Sequence, residues 1–168
     1  MKRLIIILFL ILLLVHISMA FDNEPNGIKG IMWASNIDNI DNMSIVEDAG
    51  EAIERHEVYT LDNDDMKLEG VDLQASGFVF YENKFYAHAA LFDNVENYNN
   101  LRNALFNKYG KGIKIKDAPN AYYLCGDKVY VYMEFSDIRR VGGITHYYTP
   151  IMRDILGISD DVKSRCQE

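Results

Sequence analysis

The chain has little of what usually carries catalysis. It holds two cysteines, Cys125 and Cys166, a single tryptophan and three prolines in 168 residues. There is no CxxC pair, no GxSxG elbow and no glycine-rich phosphate loop, so thiol-redox, serine-hydrolase and nucleotide-binding chemistry lack their usual sequence carriers. His56-Glu57 opens like the HExxH helix of a zinc protease, but Thr60 stands where the second histidine belongs. His56, His88 and His146 lie far apart and show no ligand spacing. The acidic run Asp62, Asn63, Asp64, Asp65 lacks the glycine at the sixth place and the glutamate at the twelfth that a calcium loop needs. It reads as a solvated turn. The expectation is therefore no metal, no cofactor and no catalytic residue, hence a protein that is not an enzyme.

Basic residues are also scarce, 17 against 25 acidic ones. A surface of that balance repels phosphate backbones, which argues against a nucleic-acid partner. After Val15 no apolar run is long enough to span a bilayer.

What the chain does have begins at its N-terminus. Lys2 and Arg3 precede the apolar run 4–15, and Ser18-Met19-Ala20 puts small residues at the third-last and last places. That is the pattern of a secretory signal peptide, with cleavage expected after Ala20. The run of about a dozen apolar residues falls short of the roughly 20 that an uncleaved anchor needs. The sequence thus divides into a signal peptide, 1–20, and one domain, 21–168, in an exported, periplasmic or extracellular protein. Losing Lys2 and Arg3 leaves 15 basic against 25 acidic residues in the mature chain, a net charge of −10. Disulfides persist in such compartments. An even cysteine count makes a Cys125–Cys166 bridge the default expectation, with free thiols or an intermolecular bond through Cys166 as the alternatives.

Residues 71–92, VDLQASGFVFYENKFYAHAALF, read as two alternating strands joined by a tight turn at Glu82-Asn83. A two-residue loop there sets Phe80 opposite Phe85, Phe78 opposite Ala87 and Gly77 opposite His88, leaving a phenylalanine face inward and His88 on the other. Val95, Tyr98, Leu101, Leu105 and Tyr109 recur at three- and four-residue spacing, which predicts a helix over 94–109 that Gly110 ends. Tyr98, Leu101 and Leu105 are expected to lie across the phenylalanine face. A second hairpin is expected around Gly126-Asp127, with Tyr122, Leu124, Val129, Val131, Met133 and Phe135 inward. Trp33 reads as a core anchor, with Ser35 or Asn36 capping a helical turn that points Ile37 and Ile40 inward.

The second hairpin leaves Tyr123 opposite Tyr130 on its other face, extended by Tyr132 and by Tyr147 or Tyr148. Partly wet aromatic rows of this kind serve protein and sugar recognition, or else lie beneath a further layer of structure. Tyr123, Tyr130 and Tyr132 are the candidate ligand-binding residues.

The segments GIMWAS (30–35) and GVDLQASGFVFYENKFYAHAALF (70–92), with the helix end LRNALFNKYG (101–110), resemble a group of small exported bacterial proteins of unknown function. Those read as a Gly-Ile-x-Trp-Gly-Thr start, a Gly-Val strand, a Phe-Tyr hairpin and a helix ending in Lys-Tyr-Gly. Here Ala34 and Ser35 replace that Gly and Thr. The layout is also similar to the helix-plus-sheet modules of outer-membrane assembly lipoproteins and β-lactamase inhibitor proteins, an architectural likeness that carries no function.

The fold expected is α+β, a mainly antiparallel sheet of about five to seven strands with one principal helix on one face. The function expected is a non-catalytic binding or interaction module of the bacterial cell envelope, its partner an envelope protein or small ligand. The alternatives are a small hydrolase-like enzyme assembled in three dimensions, for instance from His88 or His146 with Glu134, and a purely structural envelope protein.

Overall fold

The computed structural model describes residues 21, 23–47 and 55–157. The expected signal peptide and Cys166 lie outside the described residues.

Two short hairpins stand apart from the main sheet. The first joins β1 (Gly27–Ile28) to β2 (Ile31–Met32), and the second joins β5 (Lys67–Leu68) to β6 (Val71–Asp72). The main sheet collects β3 (Met43–Ile45), β4 (His56–Leu61), β7 (Ala75–Tyr81), β8 (Lys84–Asp93), β9 (Ile113–Lys114), β10 (Ala121–Cys125), β11 (Val129–Ser136) and β12 (Val141–Tyr148). Its order is β3-β4-β7-β8-β12-β11-β10-β9, antiparallel throughout. Eight strands exceed the expected five to seven, because β3 and β9 are edge strands of three and two residues, too short to show an alternating pattern. The helix α1 (Val95–Tyr109) follows β8, and α2 (Thr149–Leu156) follows β12.

The α1 helix is shaped as its sequence dictates. The Asn94 side chain accepts from Asn97 N at 2.9 Å, and Gly110 ends it at φ 90°. Its buried residues are Tyr98, Leu101, Leu105 and Tyr109, four of the five whose spacing predicts it, while Val95 is exposed.

Their partners differ from expectation. They pack on Ala90, Phe92, Leu124, Val129, Val131, Met133, Phe135 and Ile144, with Tyr122 half-buried against them. The inward set of the second hairpin thus stands. Phe78, Phe80 and Phe85 do not meet the helix; they form a second cluster with Ile28 and Ile31, against which Ile37, Ile40 and Met43 pack. The reason is width. Eight strands at about 4.8 Å spacing make a face several times broader than a helix of about 10 Å diameter. The N-terminal segment covers what α1 leaves bare.

Trp33 joins the two clusters, since it packs against both. Its ring stacks on Phe85 at 4.7 Å and on Tyr148 at 6.0 Å, and its indole N–H donates to Pro25 O at 2.8 Å. Ala34, next to it, takes a left-handed backbone at φ 63°. A β-carbon in that region costs about 1–2 kcal/mol. Asn36 caps the short helical turn Ile37–Asn39 by accepting from Asp38 N at 2.9 Å.

The β7–β8 turn is the expected one. Glu82 and Asn83 both take positive φ, at φ 48° and φ 65°. A type I′ hairpin turn requires that sign at both central residues. Tyr81 pairs with Lys84 and Phe80 with Phe85. A β-bulge then inserts Tyr86, so that Val79 faces Ala87, Phe78 faces His88 and Gly77 faces Ala89. One extra residue reverses the face of everything beyond it. His88 therefore lies on the phenylalanine side, fully buried, and not opposite Gly77 on the outer face.

The second hairpin is also re-registered. Cys125 pairs with Tyr130 and Tyr123 with Tyr132, so the loop holds four residues, 126–129, in place of the two expected. The N-terminal segment fixes this loop: Glu24 Oε1 accepts from Lys128 N at 2.6 Å and Val129 N at 2.5 Å. A β-carbon on Gly126 would meet that oxygen at 2.3 Å and the Phe21 ring at 2.7 Å. Glycine is needed there for close approach.

Candidate functional site

Both covering elements, α1 and the N-terminal segment, lie on one face of the sheet. The opposite face is built by the outward half of each alternation: His56, Val58 and Thr60 from β4, Ala75, Gly77 and Val79 from β7, Ala89 and Leu91 from β8, Thr145 and Tyr147 from β12, Tyr130, Tyr132 and Glu134 from β11, and Tyr123 from β10. α2 contacts β8 and β12. Ala87 and Tyr86 are buried, whereas Ala89 and Leu91 further along β8 are exposed.

Tyr123, Tyr130 and Tyr132 do come together here. Tyr123 lies 5.2 Å from Tyr130 and 5.5 Å from Tyr132, centroid to centroid, and Tyr147 joins Tyr130 at 6.2 Å. Tyr148 does not join; it turns to the core face and stacks on Trp33. Tyr130 is only 8% exposed, while Tyr123, Tyr132 and Tyr147 stay half-buried. Tyr132 Oη donates to Glu134 Oε2 at 2.5 Å. Burial first, and then the neighbouring carboxylate, hold its hydroxyl pKa well above the ordinary tyrosine value.

Beside the row, a groove of about 560 Å³ crosses the middle of the sheet. Its floor is small: Ala75, Gly77, Ala89 and Gly143. Val46 and Val58 form one wall, and Tyr132 with Glu134 forms the other. The lining is mostly apolar and the volume falls within the range of small-molecule sites. Sequence reading missed this groove because its floor comes from three strands, each giving one or two unremarkable residues. The signal available was Gly143 inside a strand, where glycine marks close approach of something else.

The histidines expected as alternatives lie elsewhere. His88 and His146 face one another across β8 and β12 on the core side, ring centroids 5.8 Å apart, with 0% and 1% exposure. Ser76 Oγ and His88 Nε2 are 3.0 Å apart, while both Nδ1 atoms are buried without a hydrogen-bond partner. Burial pushes the pKa of His88 down to about 4 and that of His146 to about 3. Glu134 projects from the opposite face, so neither histidine is assembled with it. His56, on the outer face, lies against the rings of Tyr81 and Tyr86.

The acidic turn has its own cation. Lys29 Nζ pairs with Asp64 and, at 2.7 Å, with Asp65. The same carboxylates accept from Met66 N at 3.0 Å and Lys67 N at 3.1 Å, which organises the turn. Among the described residues no three side chains are grouped to hold a metal ion, and no helix there is long and apolar enough to cross a membrane. The chain matches no family model, no curated protein and no solved structure.

Proposed function

We propose that the protein is a non-catalytic binding or interaction module of the bacterial cell envelope, engaging an envelope protein or small ligand through the outer face that carries Tyr123, Tyr130 and Tyr132. The observation that supports this reading is the groove beside the tyrosine row, on the face that α1 and the N-terminal segment leave free. Aromatic side chains with one apolar and one wet end suit such a surface. Partner profiles from envelope extract, with wild type and a Tyr123→Ala/Tyr132→Ala variant of unchanged melting temperature, test it. Loss of a retained partner in the variant is expected, and identical profiles overturn the surface.

The same proposal includes export, through cleavage after Ala20, and a Cys125–Cys166 bridge. Cys125 is the last residue of β10, paired with Tyr130, so a bridge there ties the C-terminal residues to the tyrosine side of the sheet. It would close a loop of about 40 residues, worth roughly 4 kcal/mol on the chain-entropy account. Intact mass after alkylation without reduction is expected to show no modified thiol. Two alkylated thiols would remove the bridge.

A further inference from the structure

We propose that the outer-face groove takes a compact apolar ligand bearing one positive charge, with Glu134 as its counter-charge. The inference rests on reading this face as a binding surface, and it adds what that surface selects.

The two neighbouring glycines of β12 meet different surroundings. Gly142 faces the core, and a β-carbon there would lie 2.2 Å from the Phe92 ring and 2.9 Å from Glu134 O. The fold requires that glycine. Gly143 faces the groove, takes no left-handed φ, and a β-carbon there would meet only Leu91 Cδ2 at 3.6 Å and Ala90 O at 3.9 Å, ordinary contact distances. Nothing in the packing demands glycine at 143, and glycine weakens a strand interior. What its missing side chain does is keep the floor of the groove open.

Charge then selects the occupant. Glu134 is the sole charged residue among the described residues that line the groove, in a chain whose acidic residues outnumber its basic ones 25 to 17. The Tyr132 hydroxyl holds one carboxylate oxygen, Oε2. An anionic ligand would face Glu134 as a like charge. Glu134 is exposed, so a neutral apolar ligand would leave the carboxylate in water and gain nothing from it. An ammonium group pairs with Glu134 and has the Tyr132 ring beside it for a cation–π contact, while the apolar remainder lies over Ala75, Gly77 and Ala89.

Three probes on one skeleton test this: 3-phenylpropylammonium, 3-phenylpropanol and 3-phenylpropionate, each titrated into full-length mature protein while the backbone amide resonances of Gly77, Ala89 and Gly143 are followed. The ammonium is expected to shift these amides and to bind about tenfold tighter than the alcohol, with the carboxylate weaker than both. Glu134→Gln should erase the ammonium's advantage and leave the alcohol's affinity unchanged. Gly143→Val, melting as wild type, should abolish binding of both. Equal affinities for ammonium and alcohol in the groove would overturn the charge selection and leave the outer face standing as a binding surface. Groove amides unmoved by any probe would overturn the groove as a site for such a ligand, while the partner profiles alone decide whether the outer face is a protein-binding surface. Shifts at these amides that grow with protein concentration alone would mean that a second copy occupies the groove, which also overturns the proposal.

Discussion

Between about pH 6.5 and pH 4 the folded protein is expected to lose on the order of 5 kcal/mol through His88 and His146 together, comparable to the whole stability of a small domain. The unfolded imidazole titrates near 6.5, whereas burial depresses the folded values to about 4 and about 3. In that window the unfolded chain binds the protons and the folded one does not, so stability falls as pH falls. Above 6.5 both states carry neutral imidazoles and the penalty is absent. Lys29 lowers the His88 value further while Asp64 opposes it, and His88 and Lys108 lower His146. Carboxylates titrate in the same range, so the measurement is a comparison. Urea unfolding at pH 7 and pH 4 for wild type and His146→Leu should show the variant losing about 2–3 kcal/mol less. Equal losses would show that the buried histidines do not set acid stability.

Replacing Phe85 by alanine is expected to cost about 3–5 kcal/mol, the range for truncating a buried phenylalanine, or roughly 10 °C in melting temperature for a domain of this size. Phe85 is fully buried and its ring touches Trp33, Phe78 and Phe80. Its backbone ties the N-terminal segment to the sheet, with Ala34 N donating to Phe85 O at 2.8 Å and Phe85 N donating to Ser35 O at 2.9 Å. Those two bonds survive the substitution, but the stacked ring under Trp33 does not. Trp33 is the only tryptophan, so its emission reports on the cluster around Phe85. A red shift in the native variant is expected while the helical circular dichroism signal holds, because α1 belongs to the other cluster. A cost below about 1 kcal/mol would show that the cavity collapses or that the segment is held by other contacts.

How far the sequence could be read depended on how local the signal was. The α1 helix was legible because Tyr98, Leu101, Leu105 and Tyr109 repeat at helical spacing along its length, and the Glu82-Asn83 turn because two alternating runs meet there. The core set of β10 and β11 was also legible, since alternation survives a change in loop length by two residues. The bulge at Tyr86 was not. Its extra residue looks like ordinary strand sequence, yet it exchanges the faces of all that precedes Val79 relative to all that follows Ala87, and with them the fate of His88. The β1–β2 and β5–β6 hairpins have two residues per strand, too few for any period. The tyrosine row was legible as a cluster but not in its pairing or in the burial of Tyr130. The groove needed the strand order, because β12 and β11 come from a distant part of the chain and only the pairing of β12 with β8 brings them beside the β7–β8 hairpin.

The contact of Glu24 with Lys128 and Val129 also has a meaning in time. Those partners are 104 and 105 residues downstream, so the Glu24 contact cannot form until the β10–β11 loop is in place. Closing so long a loop is slow relative to local hairpin and helix formation. Phe21 and Glu24 are thus synthesised ahead of the rest of the domain and docked after most of it, and the 126–129 loop acquires its final shape only when they arrive.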